Sequence, residues 1–263
     1  MTETNNRIFV DIDGCLLSQD ANVCLSDYQS LFWLAQKIQK AKIGMFPKIT
    51  FCSGRNRNCV EMIACLLGLP DCFSVIENGI ALFNPLTKEL ILSPDITPRI
   101  KRLFLRTLRK RVARILKNHP GMSLCYGNLV GISIERIRSV EGPLDLDQMR
   151  KVIRGELNYF VKRRMLRVIR LYNSISVFPA NINKGTGLEF LAEREGIDLK
   201  RSIGIGDAKE DIPFLRKLRL IGCPVNASLK CKELVREKRG RISPFANTQG
   251  VVDIIKYFMP QED

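Results

Sequence analysis

A doubly wound α/β core of parallel strands, interrupted by a second and smaller α/β unit, is the fold class that this sequence predicts. Three observations predict it. Short apolar runs alternate with helix-length amphipathic stretches in both terminal parts of the chain, and each run stops at Gly, Asp or Ser, the pattern of parallel strands joined by crossover helices. Between residues 94 and 183 the alternation gives way to a helix and two strands, and then the same again. The charge changes there too: of a formal net +15, residues 94–183 hold 19 Lys and Arg against 6 Asp and Glu, and the rest holds 23 against 21. The sequence thus places a core in 1–93 and 184–263, with an inserted domain of two helices on a four-stranded sheet in 94–183.

The composition narrows the class. With 263 residues, 45% hydrophobic and 26% charged, the chain can bury a sizeable core and has the make-up of a globular protein. No stretch approaches the ~20 apolar residues of a membrane span, and the polar start Met1–Asn6 has no signal-like segment, so a cytoplasmic protein is expected. Nine cysteines include no Cys-x-x-Cys pair. Cys59, Cys65 and Cys72 have no structural-zinc spacing, and the one histidine, His119, lies far from them. The thiols read as small hydrophobes in a reducing compartment.

Taken in order, Ile8 to Val10 is a buried strand, and Asp11-Ile12-Asp13-Gly14 ends it with two carboxylates two residues apart. At a strand end such carboxylates can grip a hard cation or attack phosphorus as an acyl-phosphate nucleophile; they also suit an ordinary turn. Ser26-x-x-Gln29 reads as a capping box opening a helix with Leu31, Leu34, Ala35, Ile38 and Ala41 on one face. Lys48–Cys52 is the second strand. It ends in Ser53-Gly54-Arg55 before a helix near Asn56, which is either an oxyanion cradle or an N-cap by Ser53. Ser74–Ile76 is a third strand, stopped by Glu77-Asn78-Gly79, and Ile80–Phe83 with Leu90–Leu92 form a hairpin across Asn84-Pro85.

In the inserted stretch a helix from about Arg99 to Lys117 precedes strands near Ser123–Tyr126 and Ile132–Ile137. A second helix, from about Leu146 to Val161, precedes strands near Leu166–Leu171 and Ser174–Phe178. The core resumes at Asn183-Lys184-Gly185, which opens a helix ending at Gly196 and fixes a cation near a helix N-terminus, where it can hold a phosphate oxygen or merely be solvated. Ser202–Ile205 is a strand stopped by Gly206-Asp207, with Asp211 four residues on. Asp207 is either a helix N-cap or a third carboxylate that suits, with Asp11 and Asp13, an octahedral magnesium site. Asn226, after the next strand, is a further candidate for the crevice.

In order, Asp11-x-Asp13-Gly14-x-Leu16, Ser53-Gly54-Arg55, Asn183-Lys184-Gly185 and Gly206-Asp207-x-x-x-Asp211 resemble the four motifs of the haloacid dehalogenase superfamily. The position and pattern of the insert, with Glu77-Asn78-Gly79 ahead of it, resemble the type IIB or Cof-type branch. The likeness covers nearly the whole chain. It implies a Rossmann-like core with an α/β cap that closes over the crevice. It also implies roles: Asp11 as nucleophile, Asp13 as general acid and then base, and Ser53, Gly54, Lys184 and Asn226 around the phosphoryl group. Magnesium would be held by Asp11, Asp13 through its backbone carbonyl, and Asp207, with Asp211 behind them or joined through water. Arg55, Asn78 and Glu210 complete the set. Two positions depart from the branch: Cys15 stands where threonine is usual and Glu210 where asparagine is usual, and an ionised carboxylate cannot donate to phosphate as an amide does.

The function expected on this basis is magnesium-dependent hydrolysis, through an aspartyl phosphate, of a small polar phosphorylated metabolite of the sugar phosphate or phosphoglycerate type. A phosphomutase is one alternative. A nucleic-acid or anionic-surface binding protein on a silent core is another, because Arg99–Lys117 holds nine basic residues and no acidic one. The favoured reading of that helix is a solvated face, its apolar side consumed by the cap's own sheet, whose field steers anionic substrates.

Overall fold

The computed structural model describes residues 6–18, 24–69, 71–137, 145–171 and 173–259. Contacts divide the chain into two units, residues 1–93 with 183–263, and residues 94–182. In chain order the first unit opens with β1 (Arg7–Val10), α1 (Leu25–Lys42), β2 (Lys48–Phe51), α2 (Arg57–Leu67), β3 (Ser74–Ile76), β4 (Ala81–Phe83) and β5 (Leu90–Leu92). The second unit holds α3 (Pro98–Arg102), a π-helical stretch (Leu103–Leu108), α4 (Arg109–Leu116), β6 (Met122–Leu124), β7 (Ile132–Arg136), α5 (Leu146–Glu156), α6 (Asn158–Lys162), β8 (Leu166–Arg170) and β9 (Ser174–Pro179). The first unit then resumes with α7 (Lys184–Glu195), β10 (Ile203–Ile205), α8 (Ile212–Leu215), β11 (Leu220–Cys223), α9 (Leu229–Glu237), β12 (Arg241–Ile242) and α10 (Asn247–Phe258). No helix among the described residues is long and apolar enough to cross a membrane.

The core sheet is parallel in the order β12-β11-β10-β1-β2. A parallel bridge between Cys52 and Val75 sets β3 beside β2, and β3, β4 and β5 form an antiparallel meander. On one side α1 packs against α10; on the other, Phe9 joins Val75, Leu188, Leu191, Phe214 and Leu215 in one apolar cluster. Helices on both faces explain why β1 is apolar from Ile8 to Val10, since these side chains have no solvent side. Each such side chain contributes roughly 1.5–3 kcal/mol by its burial. The connections run outward from β1 to β2 on one side while β10 lies on the other. This reversal opens a crevice at the C-terminal ends of β1 and β10.

The second unit, taken by itself, is an antiparallel sheet in the order β6-β7-β9-β8. Ile132, Ile134, Ile175 and Val177 of the sheet are buried, as are Phe104, Leu108 and Val112 of the first helix and Met149 and Ile153 of α5; α4 packs on β6 and α5 on β8 and β9.

Several boundaries differ from the sequence expectation, each for a local reason. Helix α1 starts at Leu25 with Cys24 as N-cap, because Asp27 Oδ2 accepts from the Cys24 N–H at 3.2 Å; Ser26 lies inside the first turn. Helix α2 is capped by Asn56, whose Oδ1 accepts from Cys59 N at 3.2 Å, so Ser53 does not serve as its cap. The second helix of the inserted unit breaks at Leu157, where φ −98° and ψ 11° separate α5 from α6.

Candidate active site

Four buried side chains meet at the crevice. Asp11 directly follows β1: its N–H donates to Ile205 O at 3.0 Å, and its Oδ1 accepts from Ile12 N at 2.8 Å. Asp207 follows β10. Asp211, on a 3-10 turn over Lys209–Asp211, accepts through Oδ2 from Asp207 N at 2.9 Å and from Ala208 N at 2.8 Å, which folds the Gly206–Ala208 segment back over the strand end. Lys184, the first residue of α7, places Nζ 2.8 Å from Asp11 Oδ1 and 2.6 Å from Asp211 Oδ1. Oxygens of Asp11, Asp207 and Asp211 lie within 4.8 Å of one another.

Backbone packing holds Lys184 there. Asn183 caps α7, its Oδ1 accepting from Gly185 N at 2.9 Å and Thr186 N at 3.2 Å. Against this first turn lies the Glu77-Asn78-Gly79 turn, whose three residues all have positive φ, of 47°, 55° and 99°. A Cβ on Gly79 would stand 2.2 Å from Asn183 O, and one on Gly187 would stand 2.6 Å from Gly79 Cα. Two glycines in contact therefore let the turn touch the helix backbone. The same turn reaches the Ser53 loop, since Asn78 N donates to Ser53 O at 3.0 Å and a Cβ on Gly54 would lie 2.9 Å from Asn78 Nδ2. That Nδ2 is buried with no hydrogen-bond partner, a deficit of roughly 1–3 kcal/mol that an acceptor beside Gly54 would relieve. Ser53 Oγ accepts from Arg55 N at 3.1 Å, which leaves the hydroxyl proton to donate.

The electrostatics of the cluster are unbalanced. Three carboxylates face one ammonium. Burial, reinforced by the neighbouring Asp211, pushes Asp11 up to about 8, with Lys184 pulling part of the way back. Burial and then Asp211 likewise push Asp207 up to about 9. At Lys184 burial favours the neutral form, but Asp11 and Asp211 outweigh it and hold the ammonium well above its ordinary range. The Cys15 thiol, 4.0 Å from Asp207 Oδ1, is kept protonated by burial first and by Asp207 second. A site of net −2 built from hard oxygen donors fits a divalent cation, which would keep all three carboxylates ionised. Both Asp211 oxygens are already occupied by N–H and ammonium donors, so Asp11 and Asp207 are the carboxylates placed to touch such an ion.

The remaining sequence candidates lie around this cluster. The Asp13 carboxylate is outside it, gripped by the Arg55 fork with Nε–Oδ2 at 2.8 Å and Nη2–Oδ1 at 2.5 Å; the two side chains are 34% and 44% exposed. Sequence reasoning missed this pair, because nothing in either segment signals a contact across 42 positions. Asn226 was expected at the phosphate, yet its exposed amide braces a turn: Nδ2 donates to Gly14 O at 2.8 Å and Oδ1 accepts from Asn247 N at 3.0 Å. Glu210, beside Asp211, is half-buried, and that burial raises its carboxyl above the ordinary range. All nine cysteines are free thiols.

A sequence model of a family described as haloacid dehalogenase-like hydrolase matches residues 128–255. A phosphoglycolate phosphatase from Methanopyrus kandleri is 24% identical over 259 residues, 97% of this chain and 98% of its own. Among solved structures, the sucrose-phosphatase from Synechocystis in complex with sucrose and phosphate aligns at a TM-score of 0.66 with 15% identity, over 97% of this chain and 98% of that one. A haloacid dehalogenase-like hydrolase from Bacteroides thetaiotaomicron aligns at 0.67 with 16% identity, over 96% and 98%.

Proposed function

We propose that the chain is a haloacid dehalogenase-like hydrolase of the Cof-type branch and a phosphatase, and that it hydrolyses a small polar phosphomonoester with Asp11 as nucleophile and magnesium as its cation. The observation that carries this reading is Lys184 set between Asp11 and Asp211 in a cluster still short of two positive charges. Asp11 stands at the strand-order reversal with Oδ1 held by Ile12 N and Lys184, and Oδ2 is the oxygen to which this reading gives the attack. In the forward half-reaction an Asp11 oxygen bonds to phosphorus, the ester P–O bond breaks, and Asp13 gives its proton to the departing oxygen. In the second half Asp13 takes a proton from water, which attacks phosphorus and frees Asp11 and inorganic phosphate. Asp13 can do this only when it leaves the Arg55 fork, whose half-exposed position allows the exchange. Ser53 Oγ–H, the Gly54 N–H, Asn78 Nδ2 and Lys184 Nζ supply donors for the phosphoryl oxygens. Magnesium, bound by Asp11, Asp207 and the Asp13 carbonyl, would neutralise those oxygens and hold the carboxylates ionised.

The proposed substrate class is supported by the donors gathered for a phosphoryl group and by the names of proteins similar to this chain, a phosphoglycolate phosphatase and a sucrose-phosphatase. A panel of phosphorylated metabolites assayed for phosphate release tests it. Turnover of at least one sugar phosphate or phosphorylated hydroxy acid, abolished by chelator and restored by magnesium, is expected. Full turnover in excess chelator overturns the metal assignment, and the absence of a stoichiometric phosphoenzyme in rapid-quench experiments overturns the nucleophile.

A further inference from the structure

The first helix of the inserted unit carries a line of charge that the hydrolytic site does not use. Phe104, Leu108, Val112 and Leu116, four residues apart, are its buried side. Arg102, Arg106, Lys110 and Arg114 fall two residues from each of these and so lie on the opposite side, and Arg99 and Lys117 extend the row; all six are exposed. In a regular α-helix a four-residue repeat drifts about 40° per step and would wind such a row around the axis. The π-helical stretch over Leu103–Leu108, with its i to i+5 bonds, is wider and counters the drift. The result is a straight row about 27 Å long at ~1.5 Å per residue.

We infer that this row is a docking surface for the phosphate backbone of double-stranded nucleic acid. None of the six cations has an ion-pair partner among the described residues, although like charges at i,i+4 destabilise a helix by roughly 0.2–0.5 kcal/mol per pair. A structural use of a cation looks different here: Arg109 turns inward and donates to Asn128 O and Gly131 O at 3.3 and 3.4 Å. Four of the six are arginines, whose planar forks match phosphate oxygens. The helix buries its apolar side, so it has no face to insert into a lipid surface. Its one aromatic residue, Phe104, is buried as well, so it offers no platform for the stacked bases of a single strand. Rigid, regularly spaced charge with neither feature is what a duplex backbone, carrying one charge per ~1.7 Å, requires.

The test is fluorescence anisotropy of the full chain with a mixed-sequence duplex of about 20 base pairs, titrated from ~50 to ~200 mM salt. Six contacts predict a slope of log affinity on log salt near −5, a loss of about a thousandfold over that range. The triple variant Arg106→Gln, Lys110→Gln, Arg114→Gln should melt as the wild type does and lower the slope by about three units. Neutralising Lys200, Arg216 and Arg219, exposed cations of the core, should change duplex affinity less than about twofold. No duplex binding at the lowest salt, equal losses in both triples, or retention on anionic vesicles in preference to the duplex would overturn the inference.

Discussion

The core and the inserted unit both use charge, in opposite ways. In the core the charges that matter are few, buried and paired: Lys184 against Asp11 and Asp211, with Asp207 alongside. In the inserted unit they are many, exposed and mostly of one sign, and Asp147 pairs there with Arg150 and Arg170. Burial makes each core charge count, because a carboxylate removed from water must be matched or protonated. Exposure makes each charge of the insert weak alone and effective only in sum. The first pattern suits chemistry at one atom and the second suits a field or an extended partner.

The sharpest break in that contrast comes from Asp11→Asn. Turnover should fall by at least ~10³, because an amide cannot form the acyl phosphate. The metal-free protein should nevertheless melt higher at pH 8, since the buried cluster of three carboxylates around one ammonium then carries less excess negative charge. Lower activity with unchanged or lower melting would show that the cluster is not short of positive charge.

Gly79→Ala acts on the scaffold instead. With φ at 99° and a Cβ position 2.2 Å from Asn183 O, it should cost on the order of 3 kcal/mol, lowering the melting temperature by roughly 6–12 °C. A melt within a degree of wild type would mean that the turn does not bear on α7.

pH separates the units next. Asp11 and Asp207 have folded pKa values raised to about 8 and about 9 from an ordinary 3.8, so the metal-free folded state binds more protons than the unfolded chain between those limits. Their contribution is therefore present at low pH and lost as pH rises, and the metal-free melting temperature should drop by several degrees from pH 5 to pH 9. Saturating magnesium should flatten that slope, with its largest gain at the alkaline end. Scanning calorimetry at four pH values with and without the ion reads both effects, and a melting temperature rising with pH in the metal-free protein contradicts them.

The smallest effect is expected at Glu210. Glu210→Asn removes a half-buried carboxylate beside Asp211 and should tighten phosphate or vanadate by about 1 kcal/mol. If magnesium affinity weakens instead, Glu210 serves the cation; unchanged constants for both mean that it faces away.

Much of the core was legible because its signals are local. Each parallel strand is a short apolar run, and Asp11, Ser53 and Asp207 stand where such runs stop, so placing the strands also placed these residues at one end of the sheet. Position along a strand is a one-dimensional property. Contacts between separated segments are not: the Arg55 fork on Asp13, the Cys15 thiol beside Asp207 and the bracing role of Asn226 depend on how loops meet. The π turn escaped for another reason, since apolar residues at 104, 108, 112 and 116 fit an α-helix nearly as well and only the backbone bonding tells them apart. The cap of α1 was misplaced because the Cys24 thiol, a weak hydrogen-bonding group, is not among the usual capping side chains.

The turn at Gly79 and the residue after it also hold the two core residues that flank the insert. Ser93 N donates to Ile80 O at 2.8 Å on the way out of the core, and Asn183 lies against Gly79 on the way back. The chain therefore leaves and returns at nearly one point, and everything between is a cassette whose length imposes no stretch on the frame. Such junctions tolerate exchange. A short Gly-Ser connector from Ser93 to Asn183 should leave a folded core, and unrelated sequences spliced there would inherit a ready-made mount, so the frame and what it carries are free to diverge at separate rates.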